Sequence, residues 1–338
     1  MIRPLPTMLA LVLLAGLLLS APIFGTGAPT RAMQVDFAPY EGSLLYLYRG
    51  DIWRFDLATE EARLFLDVGP GLITHVAHSP DRANLAYSVL HLSPTYQILG
   101  TEIVVAGADG GSPQTVVREE GSRVSVAWPA WQGDGTSLLY TATNLSDGSQ
   151  RVEEVDLSTG GRTLVVAGGS SATASPDGRW IAYDLAVGRR WAIWNLDRST
   201  GARAQLVSDT WFDDADVPSF SPDSATLAFV AVGPGPRAAR DPAPSLASML
   251  GRHLVPIAEA HEFEGAVFDL WAVRPDGSGL RRVETLYAEQ PTIAWSPTGR
   301  HIAVWGGNEL HIVDMASDPV RFRVLRNPPG TGPISWGY

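Results

Sequence analysis

The densest group of side chains able to do chemistry in this 338-residue chain is Asp209-Thr210-Trp211-Phe212-Asp213-Asp214-Ala215-Asp216. Carboxylates gathered in one loop can hold a hard cation such as Ca²⁺, which takes about six to eight oxygen ligands. Asp213, Asp214 and Asp216 are the expected ligands, and Ca²⁺ is the only cofactor the sequence suggests. The same loop can attract an Arg- or Lys-bearing partner, with Trp211 and Phe212 as apolar anchors. A third reading is a solvated acidic loop, since the spacing follows no EF-hand pattern. His75 and His78 look like a metal pair but stand three apart on a strand, which sends them to opposite faces. One is expected to line an internal channel and the other to pack between structural units.

Other chemistry is excluded by composition. No cysteine occurs, so disulfides, thiolate metal sites and cysteine nucleophiles are ruled out. All 25 basic residues are arginine, which removes Schiff-base lysines, phosphate-loop lysines and Ser–Lys dyads. A net charge of −11 argues against nucleic acid as a partner. There is no Gly-x-Ser-x-Gly elbow. No carboxylate pair stands out for glycoside hydrolysis, since nearly every Asp falls in a repeated turn. No residue is therefore assigned a catalytic role.

The elements that must position these residues come from internal repetition. A ten-residue phrase begins at Phe37, His78, Trp131, Ala174, Phe220 and Trp295, with a truncated copy at Trp336-Gly337-Tyr338. Its fullest form, Ala174-Ser-Pro-Asp-Gly-Arg-Trp-Ile-Ala-Tyr183, is a turn followed by a strand. Proline fixes φ, Asp bonds its own downstream backbone and Gly accepts positive φ, so the chain reverses between a first and a second strand. Third and fourth strand signals follow in each interval, and the unadorned intervals match a four-stranded propeller blade. The expected fold is an all-β, six-bladed β-propeller of antiparallel blades, closed by the C-terminal strand. Trp131, Trp295 and Trp336 share one repeat position and are expected in the core between blades.

Ser79-Pro80-Asp81, Ser175-Pro176-Asp177-Gly178-Arg179, Ser221-Pro222-Asp223 and Ser296-Pro297-Thr298-Gly299, each leading into an apolar strand, resemble the TolB-type propeller repeat, a WD-repeat-like family. The resemblance covers residues 37–338. It implies a propeller fold and leaves function open, because propellers host many activities. Similar propellers precede the hydrolase domain of prolyl-oligopeptidase-like enzymes, but no such domain is expected here after ring closure.

Arg3, the apolar run Met8–Leu19 and the breakers Pro22, Gly25 and Gly27 read as an export signal, or else as an uncleaved anchor, over residues 1–32. The propeller then spans 33–338. An insertion at 233–265, between the second and third strands of the fifth blade, carries Leu246, Met249, Leu250 and Leu254 at helical spacing. It is either rim packing, a lid or a partner-docking helix. A smaller insertion, His91–Thr101 with Tyr96, is expected in the second blade. Together these features point to an exported, monomeric, non-catalytic propeller binding a protein or peptide of the cell envelope through its loop face. The alternatives are a lyase or hydrolase with a channel-mouth metal ion, and an accessory subunit of a membrane complex held by the N-terminal helix.

Overall fold

The computed structural model describes residues 40, 42–188, 190–233, 235–236, 268–286, 291–306, 309–317, 321–326 and 330–337. The export segment, Phe37, Tyr338 and the insertion residues Leu246, Met249, Leu250 and Leu254 lie outside them.

Alternating apolar segments bounded by the repeated turns form 24 strands in six antiparallel sheets, each of four strands. Blades 2 to 6 are built in chain order from their inner strands outward. Those inner strands are Gly71–His78, Val124–Trp131, Gly169–Ala174, Asp214–Phe220 and Thr292–Trp295. Blade 1 takes its inner strand, Thr331–Gly337, from the other end of the chain. It pairs antiparallel with Ser43–Tyr48, Leu44 standing opposite Trp336. The ring is thus closed by hydrogen bonds between distant parts of the chain.

The repeated serine explains the turn. Ser79, Ser175, Ser221 and Ser296 are all buried. Each hydroxyl accepts the backbone N–H five residues on, at 2.8 to 3.0 Å, which locks the reversal. In three of them it also donates to the turn Asp at 2.5 Å. Gly133 is demanded by packing: a Cβ there would sit 2.0 Å from the Pro176 carbonyl of the next blade's turn.

Six apolar cores fill the six seams between adjacent blades. The repeated tryptophans stand where expected. Trp131 donates its indole N–H to the Ala77 carbonyl at 3.2 Å, and Trp295 to Ser219 at 3.0 Å, each reaching the preceding blade. Trp336 is buried with Tyr46 and Trp305, and its carbonyl accepts from Arg82 of blade 2. Each such side chain contributes on the order of 1.5–3 kcal/mol by burial.

In blade 2, the expected insertion is instead a pair of long strands. Asn84–Leu92 and Ile98–Gly107 carry His91 and Thr101 within the ladder, leaving only residues 93–97 as loop. Continued alternation of apolar side chains lets the hairpin extend rather than break.

Candidate functional site

Loops joining second to third strands, and fourth strands to the next blade, share one face of the ring; the serine turns occupy the other. Within the ring the six inner strands surround a channel cavity of about 130 Å³. One residue per blade, four positions before the serine turn or its equivalent, forms a ring in its wall: His75, Trp128, Ser171, Val217, Thr292 and Pro333. Inner strands are bulged at this level, and Trp128, Ser171 and Val217 adopt φ of 57°, 47° and 55°. A bulge re-aims side chains locally, here at the wall of the cavity.

His75 and His78 part company as the strand period requires. His75 faces the channel with its ring centroid 4.0 Å from that of Trp128, and its Nδ1 lies within reach of the Thr74 and Ser88 hydroxyls, at 3.1 and 3.2 Å. Deep placement within the ring pushes its pKa down to about 3, leaving the imidazole neutral. His78 points into the seam between blades 1 and 2, where its Nδ1 and backbone N–H both meet the Ser335 hydroxyl, at 2.8 and 3.0 Å. Burial, then the charges of Arg82 and Arg54, push it down to about 3 as well.

The acidic loop divides into three fates. Phe212 is 1% exposed and packs edge-on against Phe229 and Trp271, with centroids 5.9 and 4.9 Å away. It is a core residue, and its expected role as a partner anchor is corrected: the loop descends here, and an apolar ring over an open seam is buried before it can be offered to a partner. Trp211, one position earlier, stays 36% exposed on the loop face. Gly235, φ +69°, lies so close over Trp271 that a Cβ would meet its ring at 2.3 Å, which fixes where the chain leaves blade 5.

The three candidate metal ligands also separate. Asp213 is exposed and pairs with Arg190 at 3.2 Å. Asp214 and Asp216 sit at the loop end of the fifth inner strand, and Asp216 accepts the Val217 N–H at 2.6 Å. Burial, then the Asp216 charge, push Asp214 up to about 6. Among the described residues no three carboxylate or imidazole groups are arranged to hold a metal ion.

The acid that joins Asp214 and Asp216 is Asp184, from the second strand of blade 4. It is 1% exposed, and neither carboxyl oxygen meets a partner in hydrogen-bond geometry. Burial, then the Asp216 charge and its hydrogen-bonding influence, hold Asp184 well above the usual carboxylate range; Ser171 opposes this and Asp214 adds to it. Sequence reading missed Asp184, yet a signal was present. The equivalent repeat positions hold Leu47, Ser88, Thr141, Val230 and Trp305, so a carboxylate there breaks the pattern.

The fold recurs in proteins of known structure. Solved structures with similar folds include TolB from Acinetobacter baumannii, with a TM-score of 0.62 at 18% identity, covering 88% of this chain and 67% of that one. A putative TolB from Agrobacterium tumefaciens gives 0.57 at 17% identity, over 87% of this chain and 89% of that one. The fold is that of a TolB-like propeller. A chain from a nidogen/laminin complex gives 0.60 at 16% identity, over 88% of this chain and 98% of that one. No family model and no curated protein matches the sequence. At these identities the likeness is one of fold.

The surface of this TolB-like propeller is uneven. Of the six exposed large apolar side chains among the described residues, Tyr96, Leu99, Leu145 and Trp211 belong to the loop face. Leu64 and Leu164 lie instead on outer strands. A groove of about 450 Å³ adjoins Leu99, floored by Glu102, which takes Arg118 at 2.7 Å and His91 at 2.9 Å. That carboxylate is fully engaged and serves the hairpin.

Proposed function

We propose that this chain is an exported, non-catalytic TolB-like propeller that binds a protein or peptide partner of the cell envelope through its loop face. The observation that carries the reading is the gathering of Tyr96, Leu99, Leu145 and Trp211 on that face, over loops of blades 2, 3 and 4. Apolar and aromatic side chains held out by short loops of a rigid ring are the usual anchors of protein recognition, since little ordering entropy is lost on binding. Tyr96 is 64% exposed and held at φ 60° within a loop whose Ser93 hydroxyl accepts the Gln97 N–H at 3.0 Å. The same face carries acids in its loops, among them Asp67, Glu120 and Asp213, which suits a partner carrying basic residues. One of the similar structures is a nidogen/laminin complex, and this supports the use of such a ring as a protein-binding platform.

The test is site-specific photocrosslinking in the native cell envelope. A photoreactive phenylalanine in place of Tyr96 or Leu145 is expected to capture a discrete protein band. The same residue in place of Asp134, on the opposite face, is expected to capture none. Equal capture from both faces, or none from the loop face, removes the reading.

A further inference from the structure

Five acidic residues among those described are less than a tenth exposed: Glu102, Asp184, Asp197, Asp269 and Asp314. Four of them meet an arginine. Glu102 has Arg118 at 2.7 Å, Asp197 has Arg179 at 3.2 Å, Asp269 has Arg282 at 3.5 Å and Asp314 has Arg300 at 3.1 Å. Asp184, the most buried of the five, has none: neither oxygen meets a donor in strict hydrogen-bond geometry, and the side chains acting on it most closely are Asp216 and the Ser171 hydroxyl. Its influential neighbours, Asp216 and Asp214, are themselves acids, and the Oδ1 of Asp214 is also unpartnered. Arg190 is committed elsewhere, to Asp213 and to the carbonyls of Asp209 and Phe212. Among the described residues, the seam between blades 4 and 5 therefore lacks the positive charge that every other buried acid of the ring receives.

We propose that this seam receives one arginine side chain of a bound peptide, whose guanidinium is taken by Asp184 and Asp216 from the channel side. The inference rests on the partner-binding reading above and names the chemistry of the partner's central contact. A guanidinium is favoured because its planar fork can serve two carboxylates at once, as a compact ammonium cannot. A metal ion fits less well, since among the described residues no three ligating groups are arranged around a common point. The approach is along the channel. Ser171, which acts on Asp184, also lines the cavity, as does Val217, the neighbour of Asp216.

Calorimetric titration of the full chain with argininamide tests the proposal, with citrullinamide as the neutral counterpart of the same shape. Argininamide is expected to bind the wild type, and citrullinamide to give no heat. Asp184→Asn and Asp216→Asn are each expected to weaken argininamide binding roughly thirtyfold, as loss of one partner in a desolvated charge pair does. Asp213→Asn, on the exposed loop, is expected to bind as the wild type does. The Asn variants keep side-chain volume, and thermal melts verify that each is folded. Absence of argininamide heat overturns the proposal, and so does equal binding by the Asp184→Asn and Asp216→Asn variants or by citrullinamide. Ca²⁺ that displaces argininamide would give the carboxylates to a metal. Binding seen only after Arg237, Arg240 and Arg252 are changed to Gln would give them to the chain's own arginine. Either result also overturns it. Loop-face photocrosslinks that persist when argininamide binding fails would sink this inference alone, whereas loss of the crosslinks would sink the partner reading beneath it.

Discussion

Two sets of buried acids in the same ring obey opposite rules. On the turn face, Asp197 and Asp314 end the third strands of blades 4 and 6. Asp197 accepts the Ser199 N–H and hydroxyl, Asp314 accepts the Ala316 N–H, and each is reached by the arginine that follows the serine turn, Arg179 or Arg300. On the channel side, Asp184 has neither local backbone donors nor an arginine, only the acids Asp216 and Asp214 and the Ser171 hydroxyl. The difference separates two uses of one residue type. Turn-face carboxylates are satisfied within the repeat and serve the fold; Asp184 and its acidic neighbours in the seam receive no arginine from it, a charge that the proposed bound arginine would supply.

The contrast between the two regions is most exposed to failure at Phe212. Its ring holds down the loop that delivers Asp214 and Asp216, sealing the seam against Phe229 and Trp271. Phe212→Ala is expected to cost about 3–5 kcal/mol, in the range of large aromatic truncations in a packed core. Denaturant unfolding measures it. A cost under about 1 kcal/mol, the scale of an ordinary substitution, would mean that the loop is positioned by something else.

A change of pH sets the two regions against each other. Asp184 and Asp214 have folded pKa values above those of the unfolded chain, Asp214 at about 6. The folded state holds their protons more tightly, so their contribution is fully present below about pH 4, the unfolded carboxylate pKa, and is lost as pH rises. Asp197 and Asp314 are lowered. For Asp197 the Ser199 hydroxyl is the first cause; for Asp314 burial works against the shift, and the Arg300 hydrogen bond and charge overcome it. Their contribution is present above about pH 4 and is lost as pH falls. Replacing Asp184 by Asn is expected to flatten the decline on the neutral side by up to about 1.4 kcal/mol per pH unit, the linkage slope of one proton. The acid limb should remain. Melts from pH 3 to 8 on both proteins decide it, and an unchanged neutral slope would show that Asp184 titrates normally.

How much of this was legible in the sequence differs by region for a physical reason. The turn phrase is local: its serine and aspartate bond within five residues and its proline fixes φ, so spacing alone exposes blade number, turn face and ring closure at Trp336. The seam is non-local. Asp184 and Asp216 lie 32 positions apart and meet only because adjacent blades pack, so the acidic run at 209–216 showed Asp214 and Asp216 but not Asp184. Proximity in the chain joined Asp213 to the group, although Arg190 draws it away. The strand period parted His75 from His78 correctly, but it did not separate exposed Trp211 from buried Phe212, because a loop has no fixed period.

The smallest expected effect is at Arg300, and it tests whether the turn-face pairs are as structural as they look. Arg300 is largely exposed, with 62% of its side chain open to solvent, while the Asp314 side chain is only 7% exposed. Removing the arginine leaves Asp314 with the Ala316 N–H at 3.0 Å and whatever water can reach it, so Arg300→Gln is expected to lower the thermal midpoint at pH 7 only slightly, far less than Phe212→Ala does. The cost should fade as pH falls through the lowered pKa of Asp314, where its carboxylate gains a proton and the pair loses its charge. A double-mutant cycle with Asp314→Asn should return a favourable coupling. The same cycle on Asp184 and Asp216 should return the opposite sign, since there each acid is relieved when its neighbour is neutralised. Couplings of one sign at both places would erase the distinction between acids the fold satisfies and acids it leaves for a ligand.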